Sequence, residues 1–487
     1  MKKYIFFCIL FFLCIITIFA KNDNYIYDYW GEIERSPDTY RVSSVLYGNN
    51  LGLDDMLKNP TGLFCTGNRV FIVDSGNNRI IELIYNENKT LSFVREINHF
   101  YASDAEITTT FSNPSDVFVN KDGSFFIADT NNGRVLKLDK DLNFIRTFTE
   151  PDHPTYERGK AFLPEKVVVD EKGRPYVLAK NVNNGFIKYD YNGTFTGFYG
   201  ASDVVFNWTD YVWKLFSTRK QRSQMESFVP TEYSNAYLDN EGFVFATVKT
   251  FQEWDLKSDR AKPIRRLNAL GKDILVKNGV VPPIGDLQWG NAAGIRGPSK
   301  FADLTVLDNE VYIAIDEMRG RIFGYNNQGY LLFAFAGKGN LEGYFRNPTA
   351  IEHCGRDLLI LDSQSCALTV YTPTDFGHLI YDATEQYACG DYEQAAETWS
   401  KVLELNGNYD LAYIGLGKAY IRQERYKDAM THFKLKRDKK GYSKAFMYYR
   451  KEVVEKNAGY FVFATLFLLV VFAIIKKISK IRKEIGV

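Results

Sequence analysis

A chain of 487 residues is expected to form about three folded units, and its 45% hydrophobic and 15% aromatic residues exclude a disordered protein. Its 60 basic and 59 acidic residues leave a formal net charge of +1. Because nucleic-acid binding requires clustered lysine and arginine residues that displace counterions, no nucleic-acid partner is expected.

The first predicted element is a secretory signal peptide at residues 1–20. Lys2 and Lys3 precede an apolar run that ends at Phe19, and Ala20 supplies a small residue at the expected cleavage point. Ile18, at the −3 position, is large for signal peptidase, so an uncleaved anchor is the alternative. Residues 21–40 are assigned to an N-terminal segment.

A recurring sequence phrase over residues 41–377 predicts an all-β propeller. Each copy has an apolar strand, a turn with Gly or Asn, a second apolar strand, an Asp, a polar turn and often an Arg. The copies begin at Asn59, Asn113, Leu163, Glu232, Pro298 and Asn347. Four short strands per copy are typical of a blade, so six copies predict six blades. Residues 41–48 look like an outer strand without its own blade, and we expect them to complete the sixth blade.

The turn Asp-x-x-x-x-Arg in these copies resembles that of the NHL repeat. It occurs as Asp74 with Arg79, Asp129 with Arg134 and Asp316 with Arg321, whereas Asp362 has Ala367 at the Arg position. The resemblance covers roughly residues 40–375 and implies a six-bladed ring closed by a strand from one end of the chain. We interpret the turn residues as structural, because the Asp can accept backbone N–H bonds and the Arg can pair with a neighbouring blade. The alternative is ligand contact at the rim of the ring.

An insertion at residues 204–222 lies between the third and fourth copies. Trp208, Val212, Trp213 and Phe216 recur at spacings suited to one helical face, and basic residues lie near its end. The insertion is predicted to be a helix that covers the propeller edge. The alternative is a helix that contacts a partner or the membrane surface through its tryptophans.

Residues 378–442 are predicted to form two helical repeats. Tyr413, Leu416, Gly417 and Tyr420, followed by Ala429 and Phe433, have a spacing that resembles the tetratricopeptide (TPR) signature. Ala395 and Trp399 occupy the positions 34 residues before Ala429 and Phe433. The resemblance implies stacked helix pairs that capture protein partners.

The C-terminal part is predicted to cross a membrane. Residues 443–456 are assigned to a juxtamembrane helix, and residues 458–475 contain no charged residue. At 1.5 Å per residue such a helix spans about 27 Å, just enough for a hydrocarbon core. The basic tail at residues 476–487 is placed in the cytoplasm by the positive-inside rule. The sequence therefore predicts a single-pass type I protein of the cell membrane, with its bulk outside the cytoplasm.

Cysteine spacing does not indicate a disulfide framework or a metal site. After the signal segment the cysteines are Cys65, Cys354, Cys366 and Cys389, without a CxxC pair. We interpret them as buried thiols and leave a disulfide open.

The sequence predicts no catalytic residues, metal ligands or cofactor. The histidines share no blade position from which a zinc site could be built, and GxSxG, P-loop and HExxH motifs are absent from the sequence. The plentiful Asp and Asn residues leave a lactonase-type calcium site as an alternative. The ligand-binding residues are not identified at this stage.

These observations favour a non-catalytic, membrane-anchored extracytoplasmic binding or scaffold protein. We expect protein partners through the TPR and propeller surfaces, the membrane through residues 458–475, and a carbohydrate as a further ligand class. The combined NHL and TPR resemblance implies a role accessory to carbohydrate uptake or envelope systems. The alternative is a divergent metal-dependent hydrolase or lyase in the propeller channel.

Overall fold

The computed structural model describes residues 24–104, 107–153, 156, 161–180, 182, 184–201, 233–249, 251, 255–256, 262–279, 281–286 and 297–485. The chain divides into two compact units after His378. The predicted signal peptide at residues 1–20 and the predicted helix at residues 204–222, with Trp208, Val212, Trp213 and Phe216, lie outside the described residues.

The strands of the first unit form six sheets. In chain order the first strands are β1 (Tyr25–Tyr27), β2 (Ile33–Arg35), β3 (Tyr40–Leu46), β4 (Gly62–Thr66), β5 (Arg69–Asp74), β6 (Arg79–Tyr85), β7 (Leu91–Ile97), β8 (Pro114–Val119), β9 (Phe125–Asp129), β10 (Arg134–Leu138), β11 (Phe144–Phe148), β12 (Pro164–Val169), β13 (Pro175–Ala179), β14 (Phe186–Tyr189) and β15 (Phe195–Tyr199). They are followed by β16 (Tyr233–Leu238), β17 (Val244–Val248), β18 (Ile264–Leu267), β19 (Phe301–Val306), β20 (Tyr312–Asp316), β21 (Arg321–Tyr325), β22 (Leu331–Phe335), β23 (Pro348–Cys354), β24 (Asp357–Asp362) and β25 (Ala367–Pro373).

Each sheet is one antiparallel blade, which confirms the predicted six-bladed propeller. The first three blades are β4–β7, β8–β11 and β12–β15. Within the described residues the fourth blade has three strands, β16–β18. The first strands of all six blades contact one another in a closed ring, in the order β4, β8, β12, β16, β19, β23 and back to β4. These six strands therefore surround the propeller axis.

The N-terminal strands join the fifth and sixth blades. β3 pairs with β25 from Tyr40–Pro373 to Leu46–Leu368, so it is the fourth strand of the sixth blade. The short hairpin β1–β2 pairs with β22 and extends the fifth blade to six strands. Strands of three residues are too short to show an alternating pattern, so no hairpin was predicted within residues 21–40.

The blades pack through apolar clusters between neighbouring sheets. The second strands, such as β9 with sequence FFIAD and β20 with YIAID, are buried at every residue because both faces meet another blade. Aromatic pairs cross these interfaces, and the rings of Phe71 and Phe125 lie 5.6 Å apart in an edge-to-face arrangement. Aromatic side chains thus help to hold one blade against the next.

The second unit is helical. Its helices are α1 (Asp375–Cys389), α2 (Tyr392–Leu405), α3 (Asp410–Arg422), α4 (Tyr426–Leu435) and α5 (Lys439–Ile485). The first four form the two helix pairs expected of TPR repeats. α5 is continuous, although two separate helices were predicted at residues 443–456 and 458–475. The junction contains Asn457 and Gly459 but no proline, so nothing in it breaks the backbone ladder.

α5 is also the one described helix that is long and apolar enough to cross a membrane. None of its most apolar 18-residue window is buried within the chain, and the mean hydropathy of that window is 2.6. A core helix of a soluble protein would be covered by its own chain, so this exposure supports a membrane anchor.

Candidate functional site

The repeated Asp turns are buried and closed by internal hydrogen bonds. The carboxylate of Asp129 accepts bonds from the backbone N–H of Ser112 at 2.8 Å and from Nδ2 of Asn132 at 2.8 Å. It also accepts a bond from Nε of Arg134 at 2.9 Å. Ser112 precedes the first strand of the same blade, so the turn after the second strand is tied to the entry of the first. The side chain of Asp129 has no exposed surface.

The same network recurs in the first blade. Asp74 accepts bonds from the backbone N–H of Lys58 at 2.7 Å, from Asn77 and from Arg79. Arg79 also donates to Glu96 at 2.9 Å and to Asp55, which lies in the segment before this blade. Burial alone would lower the pKa of the Arg79 guanidinium, but its acidic partners outweigh that effect and raise it.

The corresponding arginine of the second blade contacts the polypeptide between blades. Arg134 donates to the carbonyl oxygen of Thr108 at 2.7 Å and to that of Thr110 at 3.2 Å. Its guanidinium also lies 5.5 Å from the ring centre of Phe100. The segment that leads from one blade to the next is therefore fixed by the arginine.

The fifth and sixth blades satisfy the buried carboxylate differently. Asp316 accepts backbone N–H bonds from Lys300 and Met318, while Arg321 lies over the ring of Tyr25 with a guanidinium-to-centroid distance of 4.9 Å. In the sixth blade Asp362 accepts four backbone N–H bonds of 2.6–3.1 Å. The donors are Arg346, Asn347, Gln364 and Ser365. Backbone donors thus surround the carboxylate in the blade whose turn has Ala367 in place of the arginine.

A ring of equivalent positions surrounds the propeller axis. In each blade, one residue of the first strand pairs with the second-strand residue that comes just before the turn Asp. In the third and fourth blades, which lack this Asp, the equivalent residues pair. The axial ring consists of Gly62, Asp116, Lys166, Asn235, Asp303 and Ala350. The sequence analysis did not identify it. The signal in the sequence was a polar residue two positions after the first residue of the strand. Asp116 stands in this position after Pro114, and Lys166 after Pro164.

The polar members of the axial ring bond from blade to blade. Asp116 lies 3.2 Å from Nζ of Lys166 and accepts a bond from the backbone N–H of Val167 at 3.0 Å. Asp303 accepts a side-chain bond from Asn235 on one side and the backbone N–H of Ile351 at 2.9 Å on the other. Each aspartate thus joins its own blade to the next one along the chain.

Burial and neighbouring charges shift the pKa values of axial groups and of nearby Glu352. Burial raises the pKa of Asp303 to about 6, although the positive charge of Lys166 and two backbone donors oppose the shift. Burial and the nearby Asp303 raise the pKa of Glu352 well above its ordinary value, and Glu352 accepts a bond from Thr305 at 3.1 Å. The pKa of Lys166 is raised because its acidic neighbours outweigh burial. Among the described residues, no group of three or more His, Cys, Asp or Glu side chains is arranged to hold a metal ion.

The TPR signature residues mostly form the packing between helices. A Cβ added at Gly417 would lie 2.6 Å from the ring of Phe433, and one added at Gly415 would lie 2.5 Å from Nε1 of Trp399. These glycines allow the helix pairs to approach closely. The other buried signature residues are Ala395, Leu416 and Ala429. Tyr413 and Tyr420 are half-buried beside His432, with centroid distances of 6.1 and 5.3 Å.

A tyrosine-rich surface includes one residue from each of the five helices. We name it the tyrosine edge and define it as Tyr387, Tyr392, Arg422, Tyr426 and Tyr448. The rings of Tyr387 and Tyr392 lie 5.5 Å apart, and those of Tyr426 and Tyr448 stack at 5.6 Å. The guanidinium of Arg422 lies 5.8 Å from the ring centre of Tyr392. A hydrogen bond between Arg422 and Tyr387 raises the pKa of that guanidinium.

The tyrosine edge is accessible within the second unit. Its four tyrosines are half-buried and Arg422 is exposed. The same pairing of a cation with a tyrosine ring recurs on these helices, where Arg425 lies 4.3 Å from Tyr420 and Lys436 lies 5.0 Å from Tyr413. Such amphipathic rings combine apolar contact area with a polar tip.

Comparison with known families identifies both repeat types in the chain. An NHL repeat model matches residues 111–138, and a TPR repeat model matches residues 385–424. The chain therefore contains an NHL repeat in the second blade and a TPR repeat over α1 to α3. In a comparison with curated proteins, no protein matches this chain.

The chain is also similar to solved propeller structures. Virginiamycin B lyase from Staphylococcus aureus is 11% identical, with a TM-score of 0.39 over 68% of this chain and 99% of the lyase. A protein of unknown function from Bacteroides thetaiotaomicron is 12% identical, with a TM-score of 0.40 over 70% of this chain and 73% of that protein.

Proposed function

We propose that this chain is a non-catalytic, membrane-anchored extracytoplasmic binding or scaffold protein whose helical unit captures a protein partner at the cell envelope. NHL and TPR repeats generally mediate interactions between proteins. Stacked repeats present broad surfaces that suit recognition of another polypeptide. A candidate membrane helix directly follows the TPR helices in the same chain, so such a surface would be held near the bilayer.

The observation that carries the proposal is the tyrosine edge. Tyrosine and arginine are among the residues that most often dominate the binding energy of protein interfaces. A tyrosine side chain has only two χ angles, so its ordering on binding costs little conformational entropy. At this edge Tyr387, Tyr392 and Arg422 already contact one another, as do Tyr426 and Tyr448, so these side chains are partly ordered before a partner arrives.

The propeller supports this function as a rigid scaffold. The rim carboxylates accept bonds from their own turns, and the axial carboxylates accept bonds from a neighbouring blade. These bonds tie each turn to its own blade and each axial carboxylate to the next blade. We place the propeller and the helical unit outside the cytoplasm, because the basic residues that follow the apolar part of α5 favour the cytoplasmic side.

The proposed setting is accessory to a carbohydrate uptake or other envelope system, and the identity of the captured protein tests it. A photoreactive amino acid at position 448 should crosslink a partner in intact membranes. The same amino acid at position 435 is the control, because Leu435 is exposed but does not belong to the tyrosine edge. Crosslinking from position 435 alone, or from neither position, would contradict the proposal.

The alternative function is a metal-dependent hydrolase or lyase in the propeller channel. Asp116 would have to break its ion pair with Lys166, and Asp303 its bond to the Ile351 N–H, before these carboxylates could bind a cation. We expect Ca²⁺ and Zn²⁺ to leave the thermal midpoint of the purified chain unchanged. A stabilisation that saturates with one equivalent of metal and is lost in Asp303→Asn would favour the alternative.

A further inference from the structure

The first and last blades of the propeller bring two cysteines together. Cys65 lies near the end of β4 and Cys354 is the last residue of β23, and these strands are neighbours in the ring around the axis. Both side chains belong to the apolar cluster that fills the space between the two blades. Besides burial, contact with Cys354 is one of the causes that raise the pKa of the Cys65 thiol, so the two thiols interact within this cluster.

Polar contacts also join the two blades that carry the thiols. The hydroxyl of Tyr85 in the first blade donates to Asp357 of the sixth blade at 2.8 Å, and Nζ of Lys89 lies 3.2 Å from the same carboxylate. Thr349 of the sixth blade donates to the carbonyl oxygen of Pro60 at 3.3 Å. The proximity of the thiols is therefore a property of the blade interface as a whole.

We propose that Cys65 and Cys354 are a redox pair that forms a disulfide between the first and sixth blades. The oxidant is a disulfide-bearing carrier of the extracytoplasmic space, R–S–S–R. One protein thiolate attacks a sulfur of the carrier and releases the first RSH, and the second protein thiol then displaces the other. One S–S bond breaks, another forms, two RSH leave, and two electrons pass from the cysteine pair to the carrier.

The location of the pair gives the disulfide a role in ring closure. The chain contributes β3 to the sixth blade and returns to that blade only at β23. Cys65 and Cys354 are therefore separated in sequence by almost the whole propeller. A disulfide that closes so long a loop restricts the unfolded chain strongly. It would act at the interface where the ring must open if β3 leaves the sixth blade.

The reduced pair is expected to react slowly at neutral pH. Burial, and then contact with Cys354, raise the pKa of the Cys65 thiol, so little thiolate is present. The other described cysteines provide internal comparisons. Cys366 packs against the same cluster but donates to the carbonyl oxygen of Ser363 at 3.3 Å, and Cys389 is exposed on α1.

The test maps the disulfide in the purified full-length chain in detergent. The chain is equilibrated at about pH 8.5 with excess oxidised glutathione, quenched with acid, alkylated and digested for mass spectrometry. We expect a linked Cys65–Cys354 peptide and a rise in thermal midpoint of about 5 °C over the reduced chain. Cys389→Ser should keep this rise, and Cys354→Ser should lose it.

A linkage of Cys65 to Cys366, or unreacted Cys65 and Cys354 where Cys389 has reacted, would overturn the proposal. The peptide map of the unaltered chain decides the outcome even if Cys354→Ser does not fold. Formation in cells rests on the proposed extracytoplasmic location. A disulfide that forms in the purified chain but not in cells would support the pair and contradict that location.

Discussion

The buried carboxylate of Asp129 shows how single residues hold a blade together. Its three partners come from the turn that follows it and from the segment that precedes the first strand of its blade. A buried carboxylate is tolerated when its oxygens are fully hydrogen-bonded. Removal of one partner leaves the other partner buried without a hydrogen bond. Asp129 is therefore expected to stabilise its blade.

We expect Asp129→Ala to destabilise the propeller by about 3 kcal/mol, because the Ser112 N–H and Nε of the buried Arg134 lose their acceptor. Chemical unfolding followed by intrinsic fluorescence measures the change. Asp141→Ala is the control, since Asp141 is exposed on the next hairpin. Equal effects of the two substitutions would refute the structural role of Asp129.

Asp303 gives a pH dependence of known sign. Its pKa is raised to about 6 in the folded chain, so the folded state binds a proton more tightly than the unfolded state does. The contribution of Asp303 to stability is therefore largest at acidic pH and falls as pH rises toward and through 6. Relative to the parent chain, Asp303→Asn should gain up to about 3 kcal/mol between pH 4 and pH 7.5. Thermal midpoints of both chains at these pH values test this, and a constant difference would contradict it.

Residues differ in how far the sequence reveals their role. The Asp74–Arg79 and Asp129–Arg134 pairs were visible because both partners lie five residues apart in one turn. The axial pair Asp116–Lys166 was not, because its partners are 50 residues apart and lie on different blades. The tyrosine edge was missed for the same reason, since each helix supplies a single member to it.

At the scale of elements, the helical unit depends on close contacts at glycine. Gly417 faces the ring of Phe433, and Gly415 faces Trp399. The TPR spacing identified Gly417, Phe433 and Trp399, because the approach of two helices requires particular residues at fixed positions, whereas Gly415 was not part of the predicted signature. In contrast, the β1–β2 hairpin depends on pairing with another blade, and the continuity of α5 depends on the absence of a helix breaker. Neither feature has a repeat spacing that could reveal it.

Gly417→Ala should weaken the α3–α4 pair by about 1–3 kcal/mol, because the added methyl overlaps the Phe433 ring. Hydrogen exchange of the full chain, read over α3 and α4, measures the loss of protection. Gly407→Ala is the matched control, since its nearest neighbour would be 3.8 Å away. Unchanged exchange in Gly417→Ala would show that the helices are packed differently.

At the scale of the whole molecule, the proposed type I membrane topology can be tested by cysteine labelling. Cys389 is exposed in the helical unit, and Lys480 follows the apolar part of α5. A membrane-impermeant maleimide should label Cys389 on intact cells. In a Cys389→Ser background, a cysteine introduced by Lys480→Cys should react only after permeabilisation. The reverse pattern would contradict the proposed type I orientation.

The most direct test of the scaffold function is partner capture through the tyrosine edge. Crosslinked membranes are solubilised, and the recovery of co-purifying proteins is compared for the parent chain, Arg422→Ala and Lys401→Ala. Lys401 is an exposed residue of α2 that lies about 13 Å along the helix from Tyr392, so it controls for loss of a positive charge. We expect a defined partner with the parent chain and Lys401→Ala, and at least a tenfold lower recovery with Arg422→Ala. Equal recovery from all three chains would contradict the assignment of the tyrosine edge as the binding surface.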